Sequence, residues 1–523
     1  VRKAEAIAPA DARILAPADA SGGRSYLQIL RSTAMIGGSS AVNILFAVVR
    51  NKAMAVLLGP AGVGLFGLYG AIADLAQTLA GLGVQASGVR QIAEAAGSGE
   101  TRRVARTAIV LRRISLLLGL LGAALLAAFA VPISGITFGD AQHAAGIVLL
   151  SAAVFFRLVS AGQTALIQGM RQIASLTRIN MLGALFSTLI AIPMVYFLGT
   201  DGVVPSLVAM AAVTLLTSWW YARKIRVEPQ PMRPGEIAAE VAPLLKLGFA
   251  FMASAFLTVG AAYAVRLIVL RHDGFAAAGL YQAAWALGGI YAGFILQAMG
   301  TDFYPRLTAI CNDDRACNRL VNEQARVSIL LAGPGLIATL TLAPIVMRIF
   351  YSAEFEAAVG ILRWICLGMM LRIFAWPMGY IVLAKGAQKI FFWTEVAATI
   401  VHVGLAWLLV SSIGLTGSGV AFFGLYVWHA VLIYFIVARL SGFRWSGENV
   451  RLGLVFLLAS ALVFSGFLAL PGLQALGLGL LMTALTGLYS LRMLLGLVPR
   501  DRLPVPLRRW VRETGQVDGG HPP

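Results

Sequence analysis

From about residue 32 onward the chain is a succession of long apolar runs separated by short polar clusters. The runs fall at 32–58, 62–89, 107–132, 144–168, 178–198, 203–222, 245–270, 276–300, 326–350, 357–384, 390–411, 417–438, 452–471 and 473–497. Each is long enough to cross a bilayer as a helix, which takes about 20 apolar residues. Runs of this length predict helices rather than strands. The fold class is therefore an all-α polytopic membrane protein of about 14 transmembrane helices. Gly and Pro inside the runs are ordinary for helices in lipid. Residues 1–24, rich in Ala, Pro, Asp and Gly with no apolar core, predict a disordered cytoplasmic tail and not a cleavable signal peptide. Residues 498–523 read as a basic cytoplasmic tail.

Composition agrees. Of 523 residues, 59% are hydrophobic and only 12% charged, against roughly 25% charged in soluble domains. Mean hydropathy is +0.82. An ordinary globular enzyme is excluded. The net charge of +18, from 41 Lys and Arg against 23 Asp and Glu, would suggest nucleic acid in a soluble protein. Here it is distributed by loop. Alternate loops carry Arg90, Arg102, Arg103 and Arg106; Arg171 and Arg178; Arg223, Lys224, Arg226 and Arg233; Arg306, Arg315 and Arg319; Lys385 and Lys389; and Arg439, Arg444 and Arg451. The intervening stretches 132–142, 199–205, 411–419 and 470–477 carry no Lys or Arg. Basic loops are retained on the cytoplasmic side, so both termini are expected there and no nucleic-acid partner is needed. Trp219, Trp220 and Tyr221 beside Arg223 form an interfacial aromatic belt.

The chain also repeats. Gly59, Gly64, Leu65 and Phe66 recur as Gly274, Gly279, Leu280 and Tyr281, an offset of 215 residues. Six runs separate the copies, an even number, so the copies share orientation. Two parallel six-helix lobes about an axis along the membrane normal follow, with a central cavity between them. The expected division is an N-lobe at 25–222, a cytoplasmic linker at 223–245, a C-lobe at 246–440 and a C-terminal hairpin at 441–497.

Charges within the runs are the candidate chemistry, because an Arg or Lys near the bilayer centre costs about 2.5–3.5 kcal/mol on insertion scales. The cations are Arg50 and Lys52 in the first run, Arg157 in the fourth, Arg266 in the seventh and Arg372 in the tenth. Arg50 and Lys52 lie near the repeat equivalent of Arg266, so two symmetry-related cationic sites could receive an anion such as phosphate. Snorkelling to the outer interface is the alternative, most readily for Arg50 and Arg266. Among acids, Asp74 and Glu395 are candidates for coupling to H⁺ or Na⁺, or, for Asp74, a salt bridge to an arginine of the cavity. His402 and His429 read as packing histidines, with proton relay as the alternative. Cys311, Cys317 and Cys366 suit neither a disulfide framework nor a metal site. No phosphate-binding loop, metal-ligand cluster or nucleophile elbow is present in the sequence, and the outer loops are short; nothing resembles an enzyme.

The stretches Leu58 to Leu65, Leu79 to Gly83 and Gly88 to Arg90, then Tyr263 to Arg266, Gly279 to Gln282, Gly379 to Lys385 and Thr394 to Val396, together resemble the Wzx-type O-antigen flippases. These share a superfamily with MATE multidrug exporters and the lipid II flippase. The resemblance covers roughly residues 28–440. It implies a two-lobed, V-shaped bundle in a bacterial inner membrane that moves an undecaprenyl-diphosphate-linked oligosaccharide from the inner to the outer leaflet, with polysaccharide polymerase machinery as a partner. On that pattern Lys52, Arg90, Arg266 and Arg372 match basic positions that hold the diphosphate, and Arg50 is an additional cation. Two departures stand out: the family usually has twelve spans, and Asp74 matches no acidic position of the subfamily.

A lipid II or other lipid-linked glycan flippase is the nearest alternative. A cation-coupled multidrug exporter needs an acidic cavity, whereas basic candidates outnumber acidic ones here. A non-transporting scaffold or polymerase partner is disfavoured by the empty outer loops and the symmetric charges. The orientation is tested by reporter fusions: alkaline phosphatase joined after Gly139 or Gly414 is expected to be active, and after Arg223 or Lys385 inactive. The reverse pattern would invert the topology.

Overall fold

A computed structural model describes residues 22–225, 231–299 and 303–497. Most of the expected 1–24 tail, the whole 498–523 tail and part of the linker lie outside the described residues. Among the described residues the chain is helical throughout. The N-lobe consists of α1 (Gly22–Gly81), α2 (Val84–Gly97), α3 (Thr101–Ala128), α4 (Ala130–Phe138), α5 (Ala144–Gly169), α6 (Ile173–Leu198) and α7 (Val203–Ala222). The C-lobe follows with α8 (Pro234–Ala298), α9 (Tyr304–Ala309), α10 (Asp314–Thr341), α11 (Ala343–Phe350), α12 (Ala358–Ala384), α13 (Gln388–Ile413) and α14 (Thr416–Ser441). Last come α15 (Gly447–Ala469) and α16 (Gly472–Leu497).

Ten stretches are long and apolar enough to cross a membrane, or eleven when α10 and α11 count as one broken span. Three of them hold two arms each. Asn43–Ala80 breaks at Gly59, Gly235–Ile290 at Gly274, and Ile173–Ala222 at the 3₁₀ turn Gly199–Gly202. Dividing these three returns the fourteen apolar arms expected from the sequence.

The repeat is written into the backbone. Gly59 and Gly274 share one non-helical conformation (φ 64°, ψ −173° and φ 81°, ψ −174°). Gly199 and Gly414 share another (φ 58°, ψ −134° and φ 66°, ψ −153°). Arg171 (φ 54°) stands where the C-lobe has Gly386 (φ 68°). All three pairs are 215 residues apart, so the same register holds from the first arm of each lobe to the fifth. Here a non-glycine residue occupies a left-handed position that its repeat mate fills with glycine, a conformation costing about 1–2 kcal/mol for an L-residue.

The lobes meet along α1 and α8. A β-carbon on Gly64 would overlap the carbonyl oxygen of Phe275, and one on Gly279 would overlap that of Pro60. Each glycine thus touches the repeat equivalent of the other's neighbour, as a two-fold axis running between them requires. Lipid supplies no hydrophobic force between helices, so such close backbone approach is what van der Waals packing demands.

Two elbows depart from the expected straight spans. The run at 326–350 is α10 and α11 bent by 83°, and the run at 107–132 continues into the separate helix α4. Proline removes a backbone donor and crowds the carbonyl four residues before it. Pro344 frees the Leu340 carbonyl, which accepts a hydrogen bond from Arg363 Nε at 3.3 Å. Pro132 stands in the same relation to Ala128. A second departure concerns the linker: α8 starts at Pro234, where the Glu236 side chain accepts from the Arg233 backbone at 3.0 Å, so the later part of 223–245 is helix.

The hairpin α15–α16 lies against α10. Phe456 fills the space over Gly333, and Thr341 that over Gly479. Asn322 accepts from the Ser446 backbone at 2.9 Å and from Asn449 Nδ2 at 2.9 Å, tying the hairpin's entry to the C-lobe. Leu458, Leu468 and Leu473 on its other side are exposed, as lipid contact requires. At the end of α7, Arg223 lies over the Trp220 ring at 3.6 Å and the Trp219 ring at 4.7 Å, forming the expected anchor.

Two outcomes follow for thermal unfolding in detergent. Arg171→Gly is expected to stabilise by about 1 kcal/mol, through relief of the left-handed strain, and a lowered melting temperature would contradict it. Gly64→Ala and Gly279→Ala should each destabilise strongly, whereas Gly70→Ala, whose β-carbon meets nothing within 4 Å, should not; equal effects at all three would refute the glycine contact.

Candidate functional site

The charged candidates fall into four places. At the bare-loop end, Lys52 Nζ donates to the backbone oxygens of Arg348, at 2.6 Å, and of Tyr351. These belong to the last turn and exit of the elbow helix α11, in the other lobe. Helix C-termini expose unpaired carbonyls and partial negative charge, so a cation there is stabilised. Arg271 of α8 does the reciprocal work: its Nη2 donates to Gly135 O, at 3.1 Å, and to Ile136 O in the last turn of α4. In the contact it makes, Lys52 is thus matched by Arg271, although in the repeat register it falls at Leu267, beside Arg266. Tyr263 adds a hydrogen bond to Thr137 at 2.6 Å, and Phe138 stacks on Phe275 with centroids 6.1 Å apart. Arg50 lies beside this latch, within electrostatic reach of Tyr351. Its Nε is buried with no hydrogen-bond partner.

Arg266 is the second place. Its Nε donates to Gln282 Oε1 at 2.9 Å and its Nη1 to Ala262 O at 2.9 Å. The guanidinium thus bridges the two arms of α8.

The third place is the middle of the N-lobe. Arg157, half-way along α5, pairs with Asp74 of α1 at 2.6 Å. The Arg157 side chain is 25% exposed and that of Asp74 58%. The pair borders a space of about 620 Å³ between the N-lobe and α8, lined by Gln77, Thr78, Ala161, Ser254 and Thr258 among others. Thr78 and Ala161 lie one helical turn from Asp74 and Arg157 respectively.

The fourth place is a cavity of about 350 Å³ in the C-lobe. Ser254 and Thr258 line this space too, so α8 forms the wall between it and the N-lobe space. Arg372, Glu395, His402 and His429 all face it, with Trp285, Trp376, Tyr380 and Tyr426 as aromatic walls. The Arg372 guanidinium lies 4.3 Å from the Trp376 ring centroid and 5.7 Å from that of Tyr426. Its Nε, His402 Nε2 and His429 Nδ1 are buried with no hydrogen-bond partner. Among the described residues no carboxylate lies within 4.0 Å of Arg372. Three partnerless nitrogens around one cavity are costly unless a ligand or water completes them. The two histidines, expected as packing residues, are cavity-lining; only the fold joins α13 and α14 to α12 there.

Arg90 lies apart, at the basic-loop end. With Arg103, Arg106 and Lys246 it lines a space of about 780 Å³ that also holds Glu94, Glu236 and Glu240. Arg106 pairs with Glu236 across the lobes at 3.7 Å. Nearby, the backbones of Gly83 and Gly248 touch, so that a β-carbon on either would overlap a carbonyl oxygen.

A bundle of two pseudo-symmetric lobes around such cation-bearing spaces has relatives. A family profile described as "Polysaccharide biosynthesis protein" matches residues 53–360. The chain belongs to this family. The lipid III flippase of Escherichia coli (strain K12) is 22% identical over 414 residues, covering 77% of this chain and 96% of that protein. Among solved structures, an inward-facing multidrug resistance MATE transporter of the MOP superfamily superposes with a TM-score of 0.67. It is 16% identical and covers 80% of this chain and 98% of its own. The inward closed form of the lipid II flippase MurJ gives 0.66 at 13% identity, covering 92% and 100%. The family member described here therefore shares the fold of both.

The reciprocal latch is testable with spin labels at Ala141→Cys and Ala353→Cys, one in each lobe, in a Cys311→Ser background. Lys52→Met with Arg271→Met is expected to broaden the distance distribution toward longer values. An unchanged distribution would show that the two cations do not hold this end closed.

Proposed function

We propose that the chain is a flippase for a lipid-linked glycan, an undecaprenyl-diphosphate-linked oligosaccharide of the O-antigen type, moved from inner to outer leaflet of a bacterial inner membrane. The observation that carries this reading is Arg372, a cation without an ion partner in an aromatic-walled cavity, with its Nε unbonded. A drug exporter for cationic compounds would need a surplus of carboxylates there. Membership in a polysaccharide biosynthesis family and likeness to a lipid III flippase support the same substrate class. Lipid II or another lipid-linked glycan is the alternative cargo. Polysaccharide polymerase machinery is the partner that such a product would require.

The physical task fits. A hydroxyl placed in hydrocarbon without a partner costs about 4–8 kcal/mol, so a sugar head group cannot cross unaided. A polar cleft between the lobes removes that barrier while the polyprenyl tail stays in lipid. The diphosphate carries the charge and is gripped by Arg372, whose planar fork suits phosphate oxygens. Trp285, Trp376 and Tyr426 offer flat apolar faces to the sugar ring next to it. Rocking of the lobes then exposes the cleft to each side in turn, the Gly64–Gly279 contact parting when the bare-loop end opens. To open the bare-loop end, the Lys52 and Arg271 latches must release. Glu395, in the same cavity as Arg372, is the carboxylate placed to exchange H⁺ or Na⁺ as the anion enters and leaves.

Transport of a fluorescent undecaprenyl-diphosphate sugar in proteoliposomes tests the reading. Wild type is expected to flip it, and Arg372→Ala to lose about tenfold or more, since a charge-assisted hydrogen bond is worth about 1.5–3 kcal/mol. Unimpaired flipping by Arg372→Ala would remove the assigned anion site. Wild type that flips no such lipid would remove the function.

A further inference from the structure

The two lobes carry one matched pair of mid-helix arginines and treat them differently. The 215-residue register set by Gly59 and Gly274, Arg171 and Gly386, and Gly199 and Gly414 makes Arg157 and Arg372 equivalents, each near the middle of its helix. Their surroundings are not equivalent. Arg157 carries a carboxylate, Asp74, at 2.6 Å. The C-lobe residue in Asp74's place is Gly289, and a β-carbon there would meet nothing within 4 Å. A β-carbon is admitted at Gly289, and Arg372, which shares its cavity with Glu395 but has no carboxylate within 4.0 Å among the described residues, is left with aromatic neighbours and an unbonded Nε.

We infer that Asp74 is a specificity-determining residue that occupies Arg157 as an internal counter-ion, so that the cleft receives its anionic ligand through Arg372 alone. The inference rests on the flippase reading for the identity of that ligand, a diphosphate. The asymmetry has a consequence for turnover. A dianionic group held by two mid-membrane arginines would be gripped from both lobes at once, bridging the parts that must move apart. One open arginine lets the ligand ride with the C-lobe and leave when that lobe turns. Asp74 holds the place on Arg157 that the ligand takes on Arg372. A carboxylate and a phosphate compete for the same guanidinium fork, so swapping the counter-ion between the lobes moves the receptor.

The test is a transplant. Inorganic pyrophosphate is titrated against the purified full chain, with Trp376, stacked under Arg372, as the fluorescence reporter. Gly289→Asp supplies the missing carboxylate and is expected to weaken binding about tenfold, whereas Gly289→Asn, similar in size but uncharged, should bind as wild type does; Asp74→Asn should tighten it about tenfold by freeing Arg157. In proteoliposomes Asp74→Asn should also slow turnover, because release then involves both lobes. Equal affinities for Gly289→Asp and Gly289→Asn, or an Asp74→Asn protein no tighter than wild type, would overturn the inference. Repeating the titration with undecaprenyl diphosphate and with phosphatidylglycerol separates the two readings. If the polyprenyl diphosphate binds no better than the phospholipid while the transplant behaves as stated, the flippase assignment fails and the counter-ion asymmetry stands. If the polyprenyl diphosphate binds preferentially and the transplant has no effect, the converse holds.

Discussion

A guanidinium half-way along a membrane helix must be compensated, and the molecule solves that problem twice in different ways. In the N-lobe the compensation comes from the chain itself, as an ion pair: Asp74 meets Arg157. In the C-lobe it is only partial, a ring face at 4.3 Å and a neighbouring cavity. Desolvating an ion costs several kcal/mol even after relaxation, so Arg372 calls for a polar group to complete it. The rest of the architecture is arranged around that arginine. Glycine contacts let the lobes approach, the prolines turn the elbows that α4 and α11 present, and a cation from each lobe caps the elbow of the other.

That capping gives the fold a reciprocity its sequence does not advertise. Lys52 and Arg271 are not aligned in the repeat, yet each reaches the last turn of the opposite elbow helix. Among the described residues, these two contacts stand at the bare-loop end, and the Arg106–Glu236 ion pair and the Gly83–Gly248 contact join the lobes at the other. The same residue types that first suggest an anion site can thus serve as mechanical fasteners when helix termini stand opposite them.

Much of the fold was legible in the apolar pattern and the Gly59 and Gly274 turns, because spans and tight turns are local properties. The elbows were not, since Pro132 and Pro344 stand near the ends of apolar runs, where a proline also fits an unbroken span. Arg157 and Arg372 were legible as intramembrane charges, and their 215-residue spacing is a signal carried by the sequence itself. Their partners were legible only in part: a salt bridge from Asp74 to an arginine was one of its two readings, but not which arginine. Asp74 and Arg157 are 83 residues apart, and nothing local distinguishes a paired arginine from a free one. The gathering of Glu395, His402 and His429 around Arg372 likewise depends on how α12, α13 and α14 pack.

The most direct test of the account is the structure of the protein with an undecaprenyl-diphosphate sugar bound. The diphosphate is expected within hydrogen-bond distance of Arg372, the first sugar against Trp376 or Trp285, and the Asp74–Arg157 pair intact. A head group seated at Arg90 or in the N-lobe space on Arg157, with Arg372 still stacked on Trp376 and its cavity dry, would contradict it.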